Sequence, residues 1–173
     1  MRQVRTTGVA KGRSAAELYP VICDFPRYPE LTDAVLRVDT EDFGDGRAGC
    51  SWEVKFRRGI LKWTEEERFD AARHRVEFTL RDGDLDHLTG HWQLRDEEGG
   101  CRVEFACEFD MGIPTLADVI EPIAAQTLGD YIAVILRALV GEIEIQAGTE
   151  SGTEPGAGPG ADRPTAADDG GRR

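Results

Sequence analysis

From Pro114 to Ala147, apolar residues recur every three or four positions. Leu116, Ile120, Ile123, Thr127, Tyr131, Val134 and Ala138 make one arc, and Leu128, Ile132, Ile135, Leu139 and Ile143 make a second beside it. This is the helical period, and a stripe so wide needs a broad partner to cover it. The helix predicted over 114–147 is ~50 Å long. Seven strands side by side span only ~35 Å. The stretch therefore predicts a long terminal helix laid across the concave face of a curved sheet, with room for a ligand between them.

The preceding chain supplies that sheet. Arg2 to Lys11 reads as a first strand. Ser14, with Glu17 three residues on, forms a capping box for a helix over SAAELYPVICDF, which carries Leu18, Val21, Ile22 and Phe25 on one side. Pro20 belongs in its first turns or kinks it. PRYPELT reads as a short second helix or turn, with Tyr28 as an exposed aromatic at the lip of a pocket. Strand signals follow at regular spacing: Ala34 to Phe43, then a Gly44-Asp45-Gly46 turn, then Cys50, Trp52, Val54 and Phe56 alternating with polar residues. Arg58-Gly59 turns the chain into Ile60 to Asp70. His74 to Arg81 alternates again, and Asp82-Gly83-Asp84 leads to inward Leu88, Gly90, Trp92 and Leu94. Glu98-Gly99-Gly100 closes a hairpin into Cys101, Val103, Phe105, Cys107 and Phe109. Short turns between consecutive strands imply antiparallel pairing. The class is α+β, with residues 1–147 as one domain.

Residues 148–173 hold seven Gly and three Pro, with no aromatic and no aliphatic larger than Ala. Such a segment cannot bury enough apolar surface to offset ordering entropy and reads as a disordered tail. The formal charge of −12 disfavours nucleic acid, whose phosphates are bound by basic patches. The N-terminus lacks the apolar core of a signal peptide and no unbroken apolar run of membrane-spanning length occurs, so no membrane insertion and a cytoplasmic location are expected. Cys23, Cys50, Cys101 and Cys107 form no CxxC pair, which gives neither a zinc cluster nor a redox dithiol. No Gly-rich phosphate loop occurs, and no cofactor is expected.

The informative residue in a strand is the polar one on its apolar face. In Ile60 to Asp70, period two puts Glu65 and Glu67 on the side of Leu61, Trp63 and Phe69. Two carboxyl groups about 7 Å apart along a strand, inside an apolar cavity, cannot both ionise easily. Desolvation and mutual repulsion then raise at least one pKa, making Glu65 and Glu67 the candidate acid–base residues; the alternative is a bulge that flips the strand, or acids set at a wet cavity mouth. Trp52, Trp63, Phe78, Trp92 and Phe105 fall on inward phases of the sheet, where they either fill the core or wall a pocket for a flat apolar ligand. Gln126, Asp130 and Tyr131 are the expected polar contacts from the helix. His87 and His91 sit four apart in a strand, opposite the Trp92 face, and read as solvent-facing rather than metal-binding.

With these residues in place, CDFPRYPEL, KWTEEERF, LTGHWQL and GCRVEFACEFDM, together with the order of elements, resemble the polyketide cyclase/dehydrase branch of the START (Bet v 1-like) superfamily over residues 3–145. The resemblance implies a helix-grip fold, with a seven-stranded antiparallel sheet around the C-terminal helix and a deep cavity between. Its members include aromatase/cyclases that fold a poly-β-ketone chain, quinone-binding carriers, and proteins termed ribosome-association toxins. It also implies a hydrophobic small molecule as partner, with an acyl carrier protein as a candidate donor. Tyr28-Pro29-Glu30-Leu31, His91-Trp92 and Glu108 to Met111 match runs of tetracenomycin-type aromatase/cyclases. Where those proteins place inward Trp, Ser and Arg, this chain has Trp63, Glu65 and Glu67, and Val35 stands where a pocket tyrosine is expected. A cationic carbonyl clamp has become an acidic one. The expected activity is polyketide ring closure assisted by Glu65 or Glu67, with non-catalytic carriage of a quinone or lipid as the alternative.

Overall fold

The computed structural model describes residues 1–150. β1 (Arg2–Lys11) is followed by α1 (Ala15–Ile22), a single 3-10 turn and the short α2 (Tyr28–Leu31). Six strands come next: β2 (Val35–Gly44), β3 (Arg47–Phe56), β4 (Gly59–Asp70), β5 (Arg75–Gly83), β6 (His87–Glu97) and β7 (Gly100–Asp110). The chain closes with α3 (Ala117–Val140) and β8 (Glu144–Glu150). One sheet takes all eight strands in the order β2-β3-β4-β5-β6-β7-β1-β8, every pair antiparallel.

Alternation decides which face is which. Cys50, Val76, Phe78, Leu88, Trp92, Leu94, Val103, Phe105 and Phe109 are buried on the face that α3 covers. Their polar neighbours look outward, as expected of a sheet with one covered face. Gly90 answers to packing. A Cβ there would lie 2.4 Å from the Ala106 carbonyl oxygen and 2.5 Å from Phe78 Cζ, so only glycine lets the Phe78 ring cross that strand.

Ser14 caps α1, its Oγ accepting from the Glu17 backbone N–H at 3.2 Å. The reciprocal half of the box is absent, because the Glu17 carboxylate is held by Arg13 Nε at 2.7 Å. Pro20 lies inside α1. The turn after β3 sits at Arg57, whose φ of 55° is left-handed, one residue before the expected Arg58-Gly59.

The terminal helix is shorter than its apolar period suggested. It ends at Val140, and Gly141, at φ 83°, turns the chain back. Residues 144–150 then add the eighth strand against β1, with Gly8 opposite Ile145. Twenty-four residues give ~36 Å of helix, still enough to cross the sheet. The buried arc is also rotated. Ala124, Ala125, Gly129, Ile132, Ile135, Leu136 and Val140 face inward, whereas Leu116, Ile123 and Val134 are exposed. The Pro114–Val140 segment has the length and hydropathy of a membrane span, and here its apolar face serves the core. β8 extends past the expected tail boundary at Gly148, and residues 151–173 of that tail lie outside the described residues.

Candidate functional site

Between the sheet and α3 lies a cavity of about 140 Å³. Its walls come from β2 to β7, α2 and α3, and they are apolar except at a few points. Trp52 and Trp63 are direct cross-strand partners in the β3–β4 register. Their rings stack at 6.0 Å and 8° from parallel. Each indole N–H donates to one oxygen of Glu65: Trp52 Nε1 to Oε1 and Trp63 Nε1 to Oε2, both at 2.9 Å. The other walls are the Phe78–Phe105 stack, with centroids 5.8 Å apart, and Trp92 set edge-on to Phe105 at 4.8 Å.

Glu65 and Glu67 are 5% and 1% exposed, and both line the cavity. Their carboxyl groups interact directly, and the Cys50 thiol lies against Glu67. Burial pushes Glu65 up to about 7 against the pull of the two indole donors. Burial, then the charge of Glu65, pushes Glu67 up to about 8. The indoles favour charge on Glu65 and the contact between the acids favours a proton on Glu67, so the protons belong to the pair. One oxygen of Glu67, Oε2, is buried without a hydrogen-bond partner.

Glu66, between them, points to the other face of the sheet. It is covered by the arms of three exposed arginines: Arg47 Nε at 3.1 Å, Arg68 Nε at 3.5 Å, and Arg81 in close contact. Arg47 and Arg81 hold its carboxyl down at about 2. A register shift between Thr64 and Glu65 leaves Arg81 as an extra residue in β5. The shift leaves Glu65 and Glu67 facing the cavity.

Tyr28 lines the cavity too, but not as an exposed lip. It is 2% exposed, and its hydroxyl donates to the Ile22 carbonyl at 2.6 Å. Its ring meets Trp52 and Phe25 edge-on. From α3, Tyr131 reaches the cavity and donates to the Lys55 carbonyl at 3.0 Å. Gln126 and Asp130 do not. They bond to each other at 3.0 Å on the exposed face of α3, roughly a hundred degrees of helical rotation from Thr127 and Tyr131. Thr127, Leu128, Ile132 and Ile135 line the cavity instead. Cys50 and Phe25 were also unforeseen at the site; the alternation through Trp52 already placed Cys50 on the inner phase, opposite Glu65.

His91 is bonded to Glu104 at 3.0 Å and His87 lies 3.6 Å from Glu108, both on the outer face. Among the described residues no cluster of His, Cys, Asp and Glu is placed to hold a metal.

Residues 12–133 match the family described as polyketide cyclase/dehydrase and lipid transport. The chain belongs to that family. Solved structures agree on the fold of this cyclase/dehydrase member. A protein of Thermus thermophilus superposes with a TM-score of 0.70 at 20% identity, covering 79% of this chain and 93% of that one. The Zhui aromatase/cyclase of Streptomyces sp. R1128 gives 0.65 at 19%, covering 79% and 93%. A START superfamily protein of Mycobacterium smegmatis gives 0.68 at 17%, covering 81% and 97%. No curated protein matches the sequence. The fold is the helix-grip arrangement of the START/Bet v 1-like proteins, here with eight strands.

Proposed function

We propose that the protein binds a hydrophobic polyketide-like intermediate in the cavity and promotes its ring closure and dehydration without a cofactor. One observation carries this reading: a buried pair of acids, both raised by burial, lining an aromatic-walled cavity, in a member of the polyketide cyclase/dehydrase family. Aromatic walls hold a flexible poly-ketone in one fold, which lowers the entropic barrier to one ring closure. Glu65, kept as a carboxylate by its two indole donors, takes an α-proton. The resulting enolate carbon bonds to a second carbonyl carbon, and protonated Glu67 gives its proton to the alkoxide formed. Transfer between the two acids then resets the pair. Loss of water follows by the same exchange. Delivery by an acyl carrier protein, a cytoplasmic location and a place in antibiotic-type biosynthesis belong to the same proposal.

A second reading, carriage of a quinone or lipid without chemistry, draws support from the apolar lining away from the acids and from the lipid-transport half of the family description. Turnover of a poly-β-ketone surrogate and its binding, measured together in wild type, Glu65→Gln and Glu67→Gln, separate the two. The cyclase reading expects losses of about 10²-fold or more in kcat with affinity nearly kept. Tight binding with no turnover in wild type establishes the carrier.

A further inference from the structure

We infer that the acid-lined part of the cavity is a subsite for a protonated amine, so that the ligand it takes is an apolar body carrying an ammonium group. The inference goes beyond the cyclase reading, since it needs only that the cavity is occupied.

The argument starts from missing countercharge. Buried acids are stabilised by cations or by full hydrogen bonding, and an unpaired buried carboxylate costs several kcal/mol. Among the described residues, Glu65 and Glu67 face no cation. The titratable groups around them are Cys23 at the C-terminal cap of α1, Tyr28 on α2, Cys50 on β3 and Cys107 on β7, all of which are neutral or negative. The arginines of this region, Arg47, Arg68 and Arg81, are spent on Glu66 across the sheet. Lys55 is the single cation among the described residues lining the cavity, and its side chain is exposed. Glu65 pairs with Cys50, and Lys55 lies five residues further along β3, ~16 Å away.

The second observation is the buried Glu67 Oε2, which has no hydrogen-bond partner. Once Glu67 has lost its proton this oxygen is an acceptor waiting for a donor, on a side chain that lines the cavity. The third is the wall beside it: the stacked Trp52 and Trp63, with Tyr28 edge-on to Trp52. Indole faces attract ammonium groups, more so when water is excluded. An ammonium placed here donates to Glu67 Oε2, balances the charge of the pair and meets an aromatic surface. A neutral hydroxyl satisfies only the first need, and a carboxylate opposes the second.

Three probes of equal shape test this: 2-naphthylethylamine, the corresponding alcohol, and 2-naphthylacetate. Their dissociation constants are measured by calorimetry at about pH 8 with wild type and with the Glu65→Gln/Glu67→Gln double variant. The expected result is that wild type binds the amine about tenfold or more tighter than the alcohol and the carboxylate most weakly. In the double variant amine and alcohol become equal, the retained alcohol binding showing that the cavity is intact. The inference is overturned if alcohol or carboxylate binds wild type as tightly as the amine, if the amine preference survives in the double variant, or if the amine shows no binding at millimolar concentration. No turnover is read, so either outcome leaves the cyclase proposal to its own test.

Discussion

Trp52 and Trp63 face each other across the β3–β4 register, 8° from parallel, and end their two N–H groups on the two oxygens of one carboxyl group. Stacking fixes the rings, and the rings fix Glu65. A side chain that would otherwise rotate inside an apolar cavity is held in one orientation, with its charge favoured on a known atom pair. The arrangement follows from the alternation of two adjacent strands, Trp-x-Val on one and Trp-x-Glu-x-Glu on the other.

Trp52→Phe and Trp63→Phe each keep a ring and remove one donor. A hydrogen bond to a charged group contributes about 1.5–3 kcal/mol, and it matters only when Glu65 is ionised. Urea unfolding should therefore show a larger destabilisation above pH ~8 than below pH ~5. An equal cost at both ends would mean that only packing is lost.

The raised values of Glu65 and Glu67 make the folded state bind more protons than the unfolded chain between the ordinary carboxyl range and about 8. Stability from this pair is thus fully present below about pH 4.5 and is lost as pH rises through 7 to 8. Glu65→Gln/Glu67→Gln should flatten that decline. Above pH ~8 the double variant should be the more stable protein, by on the order of 2 kcal/mol. Thermal unfolding across the range checks it.

Glu66 has the opposite sign. Arg47 and Arg81 hold it down at about 2, so its contribution is present above the ordinary carboxyl range and lost as pH falls through about 2. Glu66→Gln should destabilise at neutral pH, with the difference from wild type closing in acid. Salt should shrink it as well, because the arginines are exposed.

Gly90→Ala puts a methyl group 2.5 Å from Phe78 Cζ and 2.4 Å from a backbone oxygen. Something must shift, at a cost of about 1–3 kcal/mol. Because Phe78 stacks on Phe105 in the cavity wall, ligand affinity should fall together with the urea midpoint. A change in stability with affinity untouched would remove Phe78 from the site.

The strands and the inner placement of Trp52, Trp63, Glu65, Glu67, Trp92 and Phe105 were legible because period two leaves no choice once one face is apolar. The end of α3 was not. Ile143 and Ile145 continue an apolar pattern that suits helix or strand equally, and the strand that takes Ile145 depends on β1, which starts more than a hundred residues earlier. Nor could the phase of α3 be read. Two apolar arcs side by side leave the inward direction open by about one residue, and that one residue separates Gln126 and Asp130 from Thr127 and Tyr131. Tyr28 looked exposed beside two prolines, yet its hydroxyl finds the end of α1 and its ring is buried.

Carbon-detected NMR titration of the glutamate carboxyl groups, assigned with Glu65→Gln and Glu67→Gln, tests the central claim most directly. Glu65 and Glu67 should titrate together near 7 and 8. Titration of both near the ordinary value of about 4.3 would mean that the acids meet bulk water, and the proton-sharing site would not exist.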